Sequence, residues 1–185
     1  SATRRMVVAS RTASQVLGFV QGVRSQGFTE AARSVGLDDL VGKPIGYACA
    51  KLIETFCPPG GGIDEAIVRR AWDHSLLEAI DNGITDFSTL AADQWAALLE
   101  TFIAKSIEGR ILADIGEETI TEALSVEQVD QLQHDLQSLV SGAVVGSIGA
   151  ILETKKDLSD AEMKTITETI YAQAFAYLEA VGMED

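Results

Sequence analysis

Trp95-Ala96-Ala97-Leu98-Leu99-Glu100-Thr101-Phe102-Ile103-Ala104-Lys105-Ser106-Ile107 places apolar side chains at 95, 98, 99, 102, 103 and 107. Steps of three and four residues are the period of an α-helix, on which these positions share one side. Ile111 and Ile115 continue the band and Gly116 is a stop, so the spacing predicts a helix over about 92–115. A band of that length has to be covered by other elements, and the rest of the chain supplies helices rather than strands. No alternating run of β-branched residues is bounded by hairpin turns.

Working back from that helix, Asn82-Gly83 closes an earlier one that opens at Asp64. Val68, Ala71, Trp72, Ser75, Leu76 and Ala79 fall on one face of it. Asp64 has the chemistry of an N-cap, and Glu65 suits the positive end of the helix dipole. Before it stands Cys57-Pro58-Pro59-Gly60-Gly61-Gly62, the one place where two prolines and three glycines meet. Proline lacks the backbone donor that helix propagation needs, so the preceding helix, from Pro44 to about Phe56, ends here. Further back, Ser10 is read as the N-cap of a first helix running to about Ser25. Gly27 ends that helix, and Thr29 caps a short one.

Forward of Trp95, Ser125-Val126-Glu127-Gln128 and Ser159-Asp160-Ala161-Glu162 carry the spacing of a capping box. They set the starts of the last two helices. Leu136 to Leu152 contains no charged residue but has Gly142, Gly146 and Gly149. Its span of about 26 Å is shorter than a bilayer core of about 30 Å, so a buried central helix is expected rather than a membrane span. The fold class is therefore all-α: a single globular helical domain of about six or seven helices over residues 10–185, preceded by a basic tail over residues 1–9.

Composition narrows the function. The net charge of -14 is unevenly divided, with +4 on residues 1–33 and -18 on the remainder. An acidic body is a poor nucleic-acid surface, which leaves the basic front end as the only alternative for such binding. Two cysteines make no disulfide framework, and no apolar run follows the leading arginines, so a reduced, cytoplasmic setting is expected. The chain does not begin with methionine and is expected to be a piece of a longer protein.

Motifs for chemistry are few. The glycine loop lacks the Lys and Ser or Thr of a phosphate-binding loop, and Asp64 and Glu65 would repel a phosphate at the helix end. His74 and His134 lie on polar faces, and no metal-ligand spacing is present, so no metal and no cofactor are expected. Gly146-Ser147-Ile148-Gly149 follows Val145 where a nucleophile elbow wants glycine, and no strand precedes it. An enzyme reading falls back on Glu108, Arg110 and Asp114, which otherwise form a solvated ion-pair face. The expectation is a protein that is not an enzyme.

An ordered series of short blocks resembles the QatB family. The series starts at Arg4-Arg5-Met6, Ser10-Arg11, Leu17-Gly18-Phe19 and Gln26-Gly27. It continues through Leu40-Val41-Gly42-Lys43-Pro44, Cys57-Pro58-Pro59-Gly60-Gly61 and Ile63-Asp64-Glu65-Ala66-Ile67. Gly83-Ile84-Thr85-Asp86, Ser106-Ile107-Glu108-Gly109-Arg110 and Asp114-Ile115-Gly116 complete it. The resemblance implies a subunit of the four-component bacterial Qat anti-phage system, beside an ATPase, the 7-cyano-7-deazaguanine synthase-like QatC, and a TatD-like nuclease. It also implies that a glycine- and serine-rich segment normally precedes this region and is presented to the synthase-like subunit for modification. The expected role is a helical adaptor. Arg4, Arg5 and Arg11, opposite in charge to the body, and the rigid Pro58-Pro59 turn are its candidate partner-binding residues.

Overall fold

A computed structural model describes residues 6–115, 124–154 and 158–182. Among these residues the chain forms seven α-helices and no strand. They are α1 (Val7–Gln26), α2 (Phe28–Ser34), α3 (Ile45–Phe56), α4 (Ile63–Asp81), α5 (Ala92–Ile115), α6 (Val126–Thr154) and α7 (Asp160–Gly182). Short 3-10 turns at Asp38–Leu40 and Phe87–Thr89 join them.

Helix α5 is the hub, packing against α1, α4, α6 and α7. Trp95, Leu98, Leu99, Phe102, Ile103, Ile107 and Ile111 are all buried, as the spacing predicts, and Ile115 is half-buried. Ala104, Ser106 and Glu108 are buried as well, because neighbours cover α5 on more than one side. Trp95 sits in an aromatic cluster, with ring centroids 5.0 Å from Phe87, 5.7 Å from Phe19 and 6.2 Å from Phe28. Trp72 of α4 meets Phe102 edge-on at 5.4 Å, and its indole N–H donates to the Cys49 carbonyl. Such rings bury large apolar areas and fix relative helix positions.

Several helix starts differ from the sequence reading, each for a tertiary reason. Ser10 is not the cap of α1. The helix begins at Val7, Met6 is fully buried, and Ser10 Oγ donates to the Met6 carbonyl at 2.5 Å. Burial of Met6 outweighs the capping preference of a serine four residues on. Residues 7–9 accordingly belong to the helix and not to a tail. Helix α2 starts at Phe28, ahead of Thr29, where the Phe28 ring packs on Phe19. Asp64 is not the cap of α4 either, since Gly62 holds that position and the Asp64 carboxylate pairs with Arg110 of α5.

The two capping boxes form as expected. Ser125 N–H donates to Gln128 Oε1 at 2.8 Å, and Ser159 N–H to Glu162 Oε2 at 2.9 Å. The backbone N–H groups of Gln128 and Glu162 return to the serine hydroxyls at 3.3 and 3.2 Å. Gly27 ends α1 at φ +89°, a region that favours glycine, and its N–H donates to the Val23 carbonyl. Gly116, the expected stop of α5, lies outside the described residues.

Helices α6 and α7 form an antiparallel hairpin laid on the body. Tyr177 donates to Asp135 across it, while Ser10 and Thr167 share a hydrogen bond that ties α7 to α1. Ser14 donates to Asp160, so α7 runs antiparallel to α1. Arg24 near the end of α1 donates to the Leu152 carbonyl at 2.6 Å, satisfying a group in the last turn of α6. The expectation of a buried central helix over Leu136–Leu152 is corrected: α6 is peripheral. Only Leu136, Val140, Val144, Ile148 and Leu152 are buried, one residue in four, and the opposite side faces outward. By length and composition α6 is apolar enough to cross a membrane.

Candidate functional site

The candidate residues fall around the break between α3 and α4. Cys57 ends α3 through its N–H to the Ile53 carbonyl at 2.8 Å, and its side chain is buried. Residues 58–62 that follow are all exposed. Pro58 and Pro59 therefore stand out from the surface as a stiff turn, and Gly61 takes φ +76°, which only glycine adopts without strain. Arg69, two turns into α4, reaches back and donates to the Cys57 carbonyl at 2.8 Å, fixing the root of the loop.

Helix α1 passes beside this root. Burial pushes the Cys57 thiol above its ordinary value. The Thr12 hydroxyl and the guanidinium charges of Arg69 and Arg11 oppose that shift. Arg11, exposed on α1, adds its charge to the field at Cys57, the residue from which the Pro58-Pro59 turn leaves. Arg4 and Arg5 lie outside the described residues.

A phosphate has no place at the start of α4. The Glu65 side chain lies over the glycines, where a Cβ on Gly60 would meet Glu65 Oε1 at 2.9 Å. Two carboxylates, Asp64 and Glu65, hold the first turn.

Glu108, Arg110 and Asp114 do not converge. Glu108 and Arg110 are two residues apart on one helix and point to nearly opposite sides. Glu108 is bonded to Lys105 at 2.8 Å. Arg110 pairs instead with Asp114 of its own helix and with Asp64 of α4 at 2.5 Å. Tyr171 of α7 donates to Asp114 at 2.5 Å. With side-chain exposures of 17% for Arg110 and 7% for Asp114, this is a largely buried tie between three helices, not the solvated face expected from sequence. The bonds from Asp114 hold the Arg110 guanidinium above its already high ordinary pKa. A carboxylate satisfied by a guanidinium and a phenol has little capacity left for proton transfer.

His74 and His134 are exposed, and no group of three or more His, Cys, Asp or Glu residues capable of holding a metal occurs among the described residues. Sequence reasoning passed over Tyr47, an exposed ring on α3 with the Lys43 and Lys51 ammonium groups 5.7 and 5.9 Å from its centroid. The signal was there, since 43, 47 and 51 are spaced by four. Arg24 and Arg69 were missed for a different reason, because their partners are backbone carbonyls that no side-chain pattern announces.

These features define an all-α protein in which the most buried ionic cluster among the described residues ties helix to helix, while the proline loop and Arg11 are exposed. A family model described as Qat anti-phage system associated protein QatB matches residues 1–178. The chain belongs to the QatB family, and with it to the Qat anti-phage system. No curated protein and no solved structure matches it.

Proposed function

We propose that the chain is a non-catalytic adaptor of the Qat system, working in the cytoplasm. In this reading it docks the synthase-like QatC subunit and presents to it a segment preceding α1. The ATPase and the TatD-like nuclease of the system are further partners of the assembly. The observation that carries the proposal is the placement of Arg11. This exposed cation belongs to the basic first part of a chain whose remainder is acidic, follows Arg4 and Arg5 in sequence, and its charge reaches Cys57 at the root of the exposed Pro58-Pro59 turn. A cation beside a preorganised turn offers a partner both charge complementarity and low ordering cost.

The test is co-purification with QatC, comparing the natural chain with the triple variant Arg4→Glu, Arg5→Glu, Arg11→Glu. Binding is expected to weaken at least about tenfold, which corresponds to about 1.4 kcal/mol. Binding that is unchanged by reversing three charges removes this surface from the interface. The +4 charge on residues 1–33 also favours a second reading, nucleic-acid binding through the basic front. Its signature is an RNA or DNA affinity that falls steeply with salt. A QatC complex that persists in nuclease-treated samples separates the two.

A further inference from the structure

The outer side of α6 is unlike the rest of the surface. Over the stretch 136–152 it bears no charge in a chain whose net charge is -14. Leu139 and Val145 are 40% and 53% exposed there. Gly142 and Gly146 are also exposed, with no atom within 4 Å of where a Cβ would stand. Beside them, between α6 and α7, runs a groove of about 400 Å³ lined by Ala143, Gly146, Ser147, Ile166, Ile170 and their neighbours, none of them ionisable.

We propose that this face joins two copies of the chain through an antiparallel α6–α6 contact centred on Gly142. The face is self-complementary about that residue. Leu139 and Val145 each lie three positions from Gly142, on either side of it. When two α6 helices cross antiparallel at Gly142, Leu139 meets Val145 of the partner subunit, and the same contact repeats across the two-fold axis. That is the isologous pattern a symmetric dimer requires. Gly142 and Gly146 leave the room for close backbone approach, and the uncharged groove lies beside the crossing.

Charge argues for the same occupant. Two bodies of -14 repel wherever their acidic surfaces approach, and this neutral face lets them touch without opposing carboxylates. A basic partner would gain nothing electrostatic here and would be drawn to the acidic surface. A bilayer is a poorer fit, because Leu136, Val140, Val144, Ile148 and Leu152 already bury one side of α6 against the body. The polar ties from Tyr177 to Asp135 and from Arg24 to Leu152 also anchor the helix to the body.

The experiment is sedimentation equilibrium of the whole chain from about 1 to 100 µM, a range that captures a modest helix-pair interface. The expected species is a dimer of the 19.7 kDa chain. Val145→Glu should weaken it at least tenfold while leaving the helical circular dichroism unchanged, and its melting temperature should equal that of the natural chain at concentrations where both are monomeric. Gly142→Cys supplies a second readout: at the two-fold axis it should form a disulfide with itself under copper-phenanthroline oxidation. Leu77→Cys, on an exposed site of α4, should not, and the native Cys49 and Cys57 are buried. A monomer throughout the range overturns the proposal. So does a dimer that resists Val145→Glu and leaves Gly142→Cys uncrosslinked. Co-sedimentation with phosphatidylcholine vesicles that is lost in Val145→Glu would assign the face to a membrane and overturn it equally.

Discussion

The body formed by α1–α5 and the hairpin formed by α6 and α7 are held by different physics. In the body, Phe19, Phe28, Phe87 and Trp95 interlock, and Trp72 meets Phe102. The hairpin contributes an aliphatic row, one residue per turn of α6, with Met163, Ile170, Tyr171, Ala174 and Leu178 of α7, and adds directional links: Ser10 with Thr167, Tyr171 with Asp114, Tyr177 with Asp135. Large interdigitated rings leave few alternative packings, whereas a single row of Val, Ile and Leu fixes distance better than angle. Hydrogen bonds at the edges of the hairpin supply the angle. The body is therefore the rigid platform, and the hairpin is positioned on it.

The sharpest way to break this contrast is Trp95→Ala, which removes the ring shared by three aromatic neighbours. A loss of about 3–5 kcal/mol is expected in chemical denaturation, enough to threaten folding altogether. Trp95→Phe should cost clearly less, since the buried Trp95 N–H has no hydrogen-bond partner to lose. Equal costs for the two variants would mean that the ring cluster is not the organising feature.

A change on the hairpin side should be smaller and more local. Ser159→Ala deletes one half of the capping box of α7 and is expected to cost about 1 kcal/mol. Hydrogen exchange should show the loss in the first turns of α7, with α4 and α5 protected as before. Loosening that spreads evenly over all helices would erase the distinction between platform and hairpin.

The smallest effect is expected where the two regions meet. Glu100 of α5 lies against Gly149 of α6, and burial raises its carboxyl pKa above the ordinary 4.5. A raised folded pKa means that the protonated form suits the native state. That contribution is full below the unfolded pKa and is lost as pH climbs through the folded one. Glu100→Gln should therefore stabilise by a few tenths of a kcal/mol at pH 7, the side chain being largely screened by solvent. The gain should vanish near pH 4, and urea titrations at the two pH values measure it. A destabilising Glu100→Gln at pH 7 would reveal an attractive contact for the carboxylate.

What could be read in the sequence was what is decided locally. Ser159 and Glu162 are three residues apart and cap one helix whatever lies around them. The α5 band was legible because its period repeats over six turns. Asp64 was misassigned because its competitor, Arg110, is 46 residues away and binds the carboxylate that would otherwise cap α4. The apolar run of α6 announced a helix but not its depth, since hydropathy states how much water a surface avoids and not what covers it. At the candidate surface, the exposure of Pro58 and Pro59 was legible from chemistry, and the reach of the Arg11 charge to Cys57 was not.

The link from Arg24 to Leu152 spans 128 residues, and that from Ser10 to Thr167 spans 157. During synthesis, α1 leaves the ribosome well before α6 and α7 and must wait for them before its polar groups find their companions. Until then the flank of α1 that will receive α7 is open to whatever else is nearby. The nascent protein thus has an interval in which α1 is made but unfinished, and any early-binding subunit would meet it in that state.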